Sequence, residues 1–200
     1  MEKQDLRIRR TKKALNEALL TLMEQKSFSR ITIQELANEA MINRATFYLH
    51  YYDIYDLLDA CIRDNMNHTM LKHIKTIRHI EDGVFYTEIF QEVVTKILKS
   101  VESNEYFFRV MFQSDCDKQL EAYLIQFGHA TVMPQIERSF QKGTSKKYKN
   151  ITLQLIVSTI LRVISWWLTA EEREAPEKIA ELIVGVVTQG PAYTIGLEID

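Results

Sequence analysis

The stretch TIQELANEAMINRATFYLHYYDIYDLL, Thr32 to Leu58, decides the fold. It holds three helix starts at close spacing. Thr32 is followed three residues later by Glu35, the pairing of a capping box. Asn43 opens a second segment. Asp53, with Asp56 in the turn behind it, opens a third. Between the first two starts there is room only for two brief helices and a tight turn. Two short helices joined this way, the second carrying Arg44, Thr46, Tyr48 and His50, spell a helix-turn-helix. Such a motif lays its second helix in the major groove of a DNA duplex.

The net charge of −2 over 200 residues conceals a polarity. Residues 1–30 carry eight basic and four acidic side chains, net +4, and the remaining 170 residues are net −6. A basic head on an acidic body turns toward a phosphate backbone. At 46% hydrophobic the chain can build a real core, and 6 Gly with 3 Pro are too few for a turn-rich sheet protein.

Several function classes are disfavoured. Cys61 and Cys116 form no CxxC, which argues against a zinc ribbon or disulfide scaffold and for small buried hydrophobes in a reducing cytosol. No apolar run follows the basic start, so no signal peptide and a cytoplasmic location are expected. Asp64 and His68 share a helix face, but His73 turns away, and His79 and His129 join no set; no metal and no other cofactor are expected. Catalysis is not expected either, because there is no Gly-rich phosphate loop, no nucleophile elbow and no Cys–His pair in recognisable context. Ile151 to Leu168 is long and apolar, yet Gln154 and Arg162 interrupt it. A central Arg costs roughly 2.5–3.5 kcal/mol on an insertion scale, so a helix of a core or dimer interface is expected rather than a membrane span.

The periodicity predicts an all-α chain. The first helix runs from about Asp5 to Gln25, the second from Ile33 to Ala40, and Met41-Ile42 make the turn. The third runs from Arg44 to Tyr51, burying Phe47 and Tyr51. The fourth starts after Asp53 and reaches about His73 or beyond. Asp82-Gly83 break the pattern, and helices follow over Phe85–Glu102, Asn104–Phe112 and Asp117–Gln141, the last kinked or split by Pro134. Gly143 to Asn150 reads as a polar loop, Ile151 to Thr169 as an apolar helix, and Pro176 opens a final helix that stops at Gly190-Pro191. Ile179, Leu182, Ile183, Val186 and Val187 form its stripe, and Gly185 permits close approach. These last two helices carry more apolar surface than one small core consumes, which predicts a four-helix interface with a second copy.

On the recognition helix, Arg44 can donate two bonds to a guanine edge, and Ala45 is small enough to meet a thymine methyl. Thr46 can reach a base or phosphate; Tyr48 and His50 can donate to phosphates, as can Thr32 at the start of the second helix.

Leu36-Ala37 after the capping Thr32, Ala40 before the turn, Asn43, TFYLHY and DIYDLL together resemble the DNA-binding domain of the TetR family of bacterial transcriptional regulators. TFYLHY also resembles the subgroup that includes co-activators of dihydroxyacetone kinase operons. The likeness covers about a quarter of the chain. It implies base contacts from Arg44 and Ala45, phosphate contacts from Thr32, Asn43, Tyr48 and His50, and flanking contacts from Arg9, Arg10 and Lys13. Two positions depart from the pattern. Met41 stands where the turn usually holds Gly, and Ile54 stands where the family usually has a phosphate-touching Lys. The resemblance also implies a three-helix head over residues 1–52 and a helical body over 53–200, about nine helices in all, in which the body binds an effector and pairs two copies. The expected function is a homodimeric, ligand-responsive repressor on a palindromic double-stranded operator. The alternative is a co-activator whose body binds a protein partner instead of a metabolite.

Candidate effector-lining residues are Phe90, Phe107, Phe108, Met111, Phe112, Tyr123, Phe127 and Trp166. A Phe or Met at helical spacing is, however, ordinarily core.

Overall fold

The computed structural model describes residues 2–67, 80–81, 84–139 and 145–197. It is all-α apart from one two-stranded antiparallel pair, β1 (Ile80–Glu81) and β2 (Val84–Phe85). The helices are α1 (Glu2–Gln25), α2 (Ile33–Glu39), α3 (Arg44–Tyr48), α4 (Ile54–Met66), α5 (Thr87–Ser103), α6 (Glu105–Gln113), α7 (Asp117–Thr131), α8 (Met133–Ser139), α9 (Lys146–Thr169), α10 (Pro176–Thr188) and α11 (Pro191–Thr194), with a 3-10 turn at Phe28–Arg30. The chain divides into two compact units, Met1–Asn65 with Val110–Leu120, and Met66–Arg109 with Glu121–Asp200.

In the first unit the core follows the periodicity. Leu15, Leu19 and Leu22 of α1 are buried, as are Leu36 and Ala37 of α2, Phe47 of α3, and Leu57, Leu58, Cys61 and Ile62 of α4. Ile33 and Ala40 are half-buried, and Ile8 stays exposed. Both cysteines are buried, and burial pushes each thiol up to about 12, so neither is a thiolate at neutral pH. α3 is shorter than expected because Leu49 and His50 close it as a turn after Tyr48. The continuation of α4 toward His73, the Asp82-Gly83 break, and the histidines 68, 73 and 79 lie outside the described residues.

In the second unit α10 packs chiefly on α5 and also on α9. Pro134 splits the long helix as its ring demands, giving α7 and α8. α7 and α9 come close at Gly128, where a Cβ would lie 3.0 Å from Leu153 Cδ1. Trp167 is buried and its indole N–H donates to the Glu174 carbonyl at 2.8 Å. Arg173 forks onto Glu105 at 2.6 and 2.7 Å, and this ion pair holds the Glu105 carboxyl down to about 2.

Three local expectations need correction. Phe85 lies in β2, not in the following helix, which begins at Thr87. The basic segment Lys146–Asn150 is helical, because Ser145 caps α9 by accepting the Lys147 N–H at 3.3 Å. Gly190, at φ 91, does end α10, but Pro191 then starts the short α11. Gly185 serves this element. A Cβ there would meet Thr194 Cγ2 at 2.8 Å, so the close approach is to the chain's own C-terminal turn.

Candidate nucleic-acid interface

Thr32 and Glu35 form the capping box that the sequence encodes. The Thr32 Oγ1 accepts the Glu35 N–H at 3.2 Å, and Glu35 Oε2 accepts the Thr32 N–H at 2.9 Å. The box is tied further back, since Lys26 Nζ donates to Glu35 Oε1 at 2.5 Å. Lys26, followed by the Thr32 backbone and hydroxyl, holds the Glu35 carboxyl down to about 2. The Thr32 hydroxyl also donates to Glu35 at 2.9 Å, so it reaches a phosphate only by giving up that bond.

The turn is made by Met41, which alone among the described non-glycine residues has a positive φ, at 53°. It is 93% exposed, so the side chain meets no neighbours to strain. The left-handed backbone costs roughly 1 kcal/mol, and the absence of glycine is tolerated rather than relaxed. The turn is pinned by the Ile42 N–H donating to the Ala37 carbonyl at 2.9 Å.

Asn43 caps α3: its Oδ1 accepts the Ala45 N–H at 2.8 Å, leaving the amide NH2 as its outward donor. Phe47 and Tyr51 anchor α3 inward, their rings 5.9 Å apart. The Tyr51 hydroxyl is buried without a hydrogen-bond partner among the described residues, and burial, with Asp64, Cys61 and Asp56 nearby, pushes it up to about 12. Arg44, Ala45 and Tyr48 are exposed; Thr46 and His50 are half-buried. Arg44 does not project alone. Its Nη2 donates to the Tyr48 phenol oxygen at 3.2 Å, and the guanidinium carbon lies 5.7 Å from that ring's centre. The expected base reader and the expected phosphate contact are thus one i, i+4 unit on the helix.

Two further residues point outward with no motif in the sequence to mark them. Leu49, 80% exposed, stands four residues after Ala45 and shares its face. Tyr52, 86% exposed, precedes α4, its N–H donating to Asp56 Oδ2 at 2.9 Å. Ile54 is half-buried at the start of α4.

The residues expected to line an effector site are distributed over both compact units. Met111 and Phe112 fall in the first compact unit, and Phe90, Phe107, Phe108, Tyr123, Phe127 and Trp166 in the second. Phe107 and Phe108 are fully buried with their rings edge to face at 5.2 Å; Trp166 is 56% exposed. Among the described residues no three His, Cys, Asp or Glu side chains gather as a metal ligand set.

A three-helix head with a capped, outward α3 and a helical remainder defines the helix-turn-helix regulators. Residues 15–61 match the family described as bacterial regulatory proteins, tetR family, and residues 88–189 match a transcriptional regulator C-terminal region of the TetR type. The chain belongs to the TetR family of transcriptional regulators. An uncharacterized HTH-type transcriptional regulator of Bacillus subtilis (strain 168), YxbF, is 24% identical over 90% of this chain. The chain spans about half the length of that curated relative, 45% of it. A TetR transcriptional regulator from Streptococcus agalactiae shares the fold at TM-score 0.65 and 24% identity, over 93% of this chain and 98% of the other. FadR from Bacillus subtilis, solved in complex with stearoyl-CoA, shares it at 0.60 and 13%, over 88% and 97%. The dihydroxyacetone kinase operon activator DhaS does so at 0.53 and 17%, over 90% and 94%.

Proposed function

We propose that the chain is a homodimeric, ligand-responsive repressor acting in the cytoplasm on a palindromic operator. A functional boundary at 52/53 separates DNA contact from sensing and pairing. The observation that carries the DNA half is the outward face of α3, where Arg44, Ala45 and Tyr48 are exposed on a helix capped at its start and anchored by buried Phe47. Arg44 and Ala45 read bases. Asn43, Tyr48, His50 and Thr32 position the phosphates, with Thr46 reaching either, and Leu49 joins Ala45 against thymine methyls.

Dimerisation is supported by α9. Tyr148, Ile151, Leu155 and Trp166 are all exposed, and their spacing puts them on one face. The co-activator alternative is not favoured; the likeness to DhaS is one of fold at 17% identity. The effector is a small molecule, and an acyl-CoA such as the one held by the Bacillus subtilis FadR is a rational first probe.

Footprinting over the chain's own upstream region tests this reading. A protected palindrome with half-sites about one helical turn or more apart is expected. An effector raises the melting point and releases that duplex. Protection of no duplex at low ionic strength would remove the reading.

A further inference from the structure

The connection from α1 to α2 is held from two directions. One is local and is the Lys26–Glu35–Thr32 arrangement above. The other comes from the turn between α6 and α7. Asp115 Oδ2 accepts the Ser27 hydroxyl at 2.6 Å, and its Oδ1 accepts the Phe28 N–H at 2.9 Å. The Ser29 backbone N–H also faces this carboxylate. The 3-10 turn Phe28–Arg30 has no side-chain cap of its own from Ser27. Asp115 supplies that cap from 87 residues away.

The turn that carries Asp115 is itself fixed. The Cys116 N–H donates to Ser114 Oγ at 3.2 Å, and Cys116 is fully buried. On the receiving side Phe28 is buried and meets Tyr55 edge to face at 5.2 Å. The placement of Phe28 passes on to α2, because the Ile31 N–H donates to the Phe28 carbonyl at 3.0 Å and Thr32 follows as the cap. Residues 110–120 belong to the same compact unit as residues 1–65.

We propose that the DNA-binding head is discontinuous in sequence, and that Asp115 is a positioning residue for operator recognition, acting through Ser27 and Phe28 on the start of α2. The inference rests on the DNA-binding reading above. A carboxylate suits the task because it offers two acceptor oxygens to convergent donors. An asparagine offers one oxygen and turns an NH2 toward an N–H. The carboxylate is also held ionised, since Ser27 and the Phe28 amide keep it below its usual range.

The test uses the full chain with Asp115→Asn and Ser27→Ala, singly and together. Affinity is measured for the footprinted duplex and for a scrambled duplex of equal length, beside amide exchange at Phe28. Asp115→Asn removes a negative charge, so electrostatics alone would tighten binding to any duplex. The expected result is the reverse: about a fivefold loss on the specific duplex, with no loss on the scrambled one. Phe28 exchanges faster, and the double variant loses less than the two singles combined. Ser27→Ala leaves the carboxylate in place and guards against a misfolded variant. Unchanged specific affinity with a faster Phe28 amide overturns the proposal, as does an equal loss on both duplexes. A wild-type chain that discriminates no duplex overturns the DNA-binding reading instead, and this one with it.

Discussion

α3 and α9 each hold out a face that stays exposed among the described residues, and the two faces differ in chemistry. α3 presents Arg44, Ala45 and Tyr48 over five residues. α9 presents Tyr148, Ile151, Leu155 and Trp166 along a helix of 24 residues, with Thr152 and Arg162 between them. The first face offers donors and one cation, which is a match for phosphate and base edges. The second offers apolar area, for which the match is another apolar face. On the proposed reading each face meets a partner matched to its composition. The two interactions should also separate by salt: α3 binding weakens steeply as salt rises, and α9 pairing does not.

The largest test is aimed at the proposed pairing face of α9. Leu155 is 61% exposed, so Leu155→Glu leaves the core alone while placing like charges across the proposed pairing face. We expect monomers in sedimentation. Operator affinity should fall roughly hundredfold or more, because a truncated interface anchor costs about 2 kcal/mol or more and half-site avidity goes with it. A dimeric variant would move the pairing face elsewhere. Next comes α3. Arg44→Ala should cost about 1–3 kcal/mol and relax preference at one base pair. Because Arg44 donates to the Tyr48 phenol, Tyr48→Phe should blunt preference at that same pair besides weakening binding generally. A selection experiment on both variants reads this directly, and a Tyr48→Phe profile flat across all positions would show that the tether plays no part on DNA.

What could be read from the sequence was whatever its determinants kept within a few residues. Thr32 with Glu35, Asn43 with Ala45, and Pro134 and Pro176 each act on the next turn of chain, so their helices begin or break where expected. The outward face of α3 is legible for the same reason, and the Arg44–Tyr48 bond, at i, i+4, is local in the same way. Asp115 was not legible as more than a polar loop, because its partners Ser27 and Phe28 are 88 and 87 residues away. Nor was α11, whose four residues carry no periodicity and whose place depends on Gly185 lacking a side chain. The expected effector residues cannot be sorted into core and lining by sequence, because core aromatics and site aromatics have the same spacing; Phe107 is fully buried and Trp166 is 56% exposed.

Acid probes whether the two regions share a weakness. Glu35 beside Lys26 in the first unit and Glu105 beside Arg173 in the second are both held down to about 2. A folded value below the unfolded one means that the stabilisation is complete above about pH 4.5 and is lost as pH falls toward about 2. Melting temperatures should therefore be level from about pH 7 to 5 and decline below about 4.5. Glu35→Gln and Glu105→Gln should each flatten part of that decline. If only one does so, acid sensitivity belongs to one region.

The smallest expected effect is at Ile54, where α3's neighbourhood lacks a cation that the family pattern supplies. Ile54 is half-buried at the first turn of α4, beside Asp53 Oδ1, which accepts the Asp56 N–H at 2.9 Å. A lysine there can run its methylenes along the surface Ile54 now covers and carry its ammonium outward. If α4 begins near the DNA backbone, Ile54→Lys adds one phosphate contact and releases about one counterion. The logarithmic salt slope should then steepen by roughly one unit, with tighter binding at low salt on every sequence alike. Base preference should stay where Arg44 sets it, which separates this change from those on α3. A slope that does not move means that the start of α4 stands off the backbone, and that the exposed Tyr52, not residue 54, marks the edge of the contact.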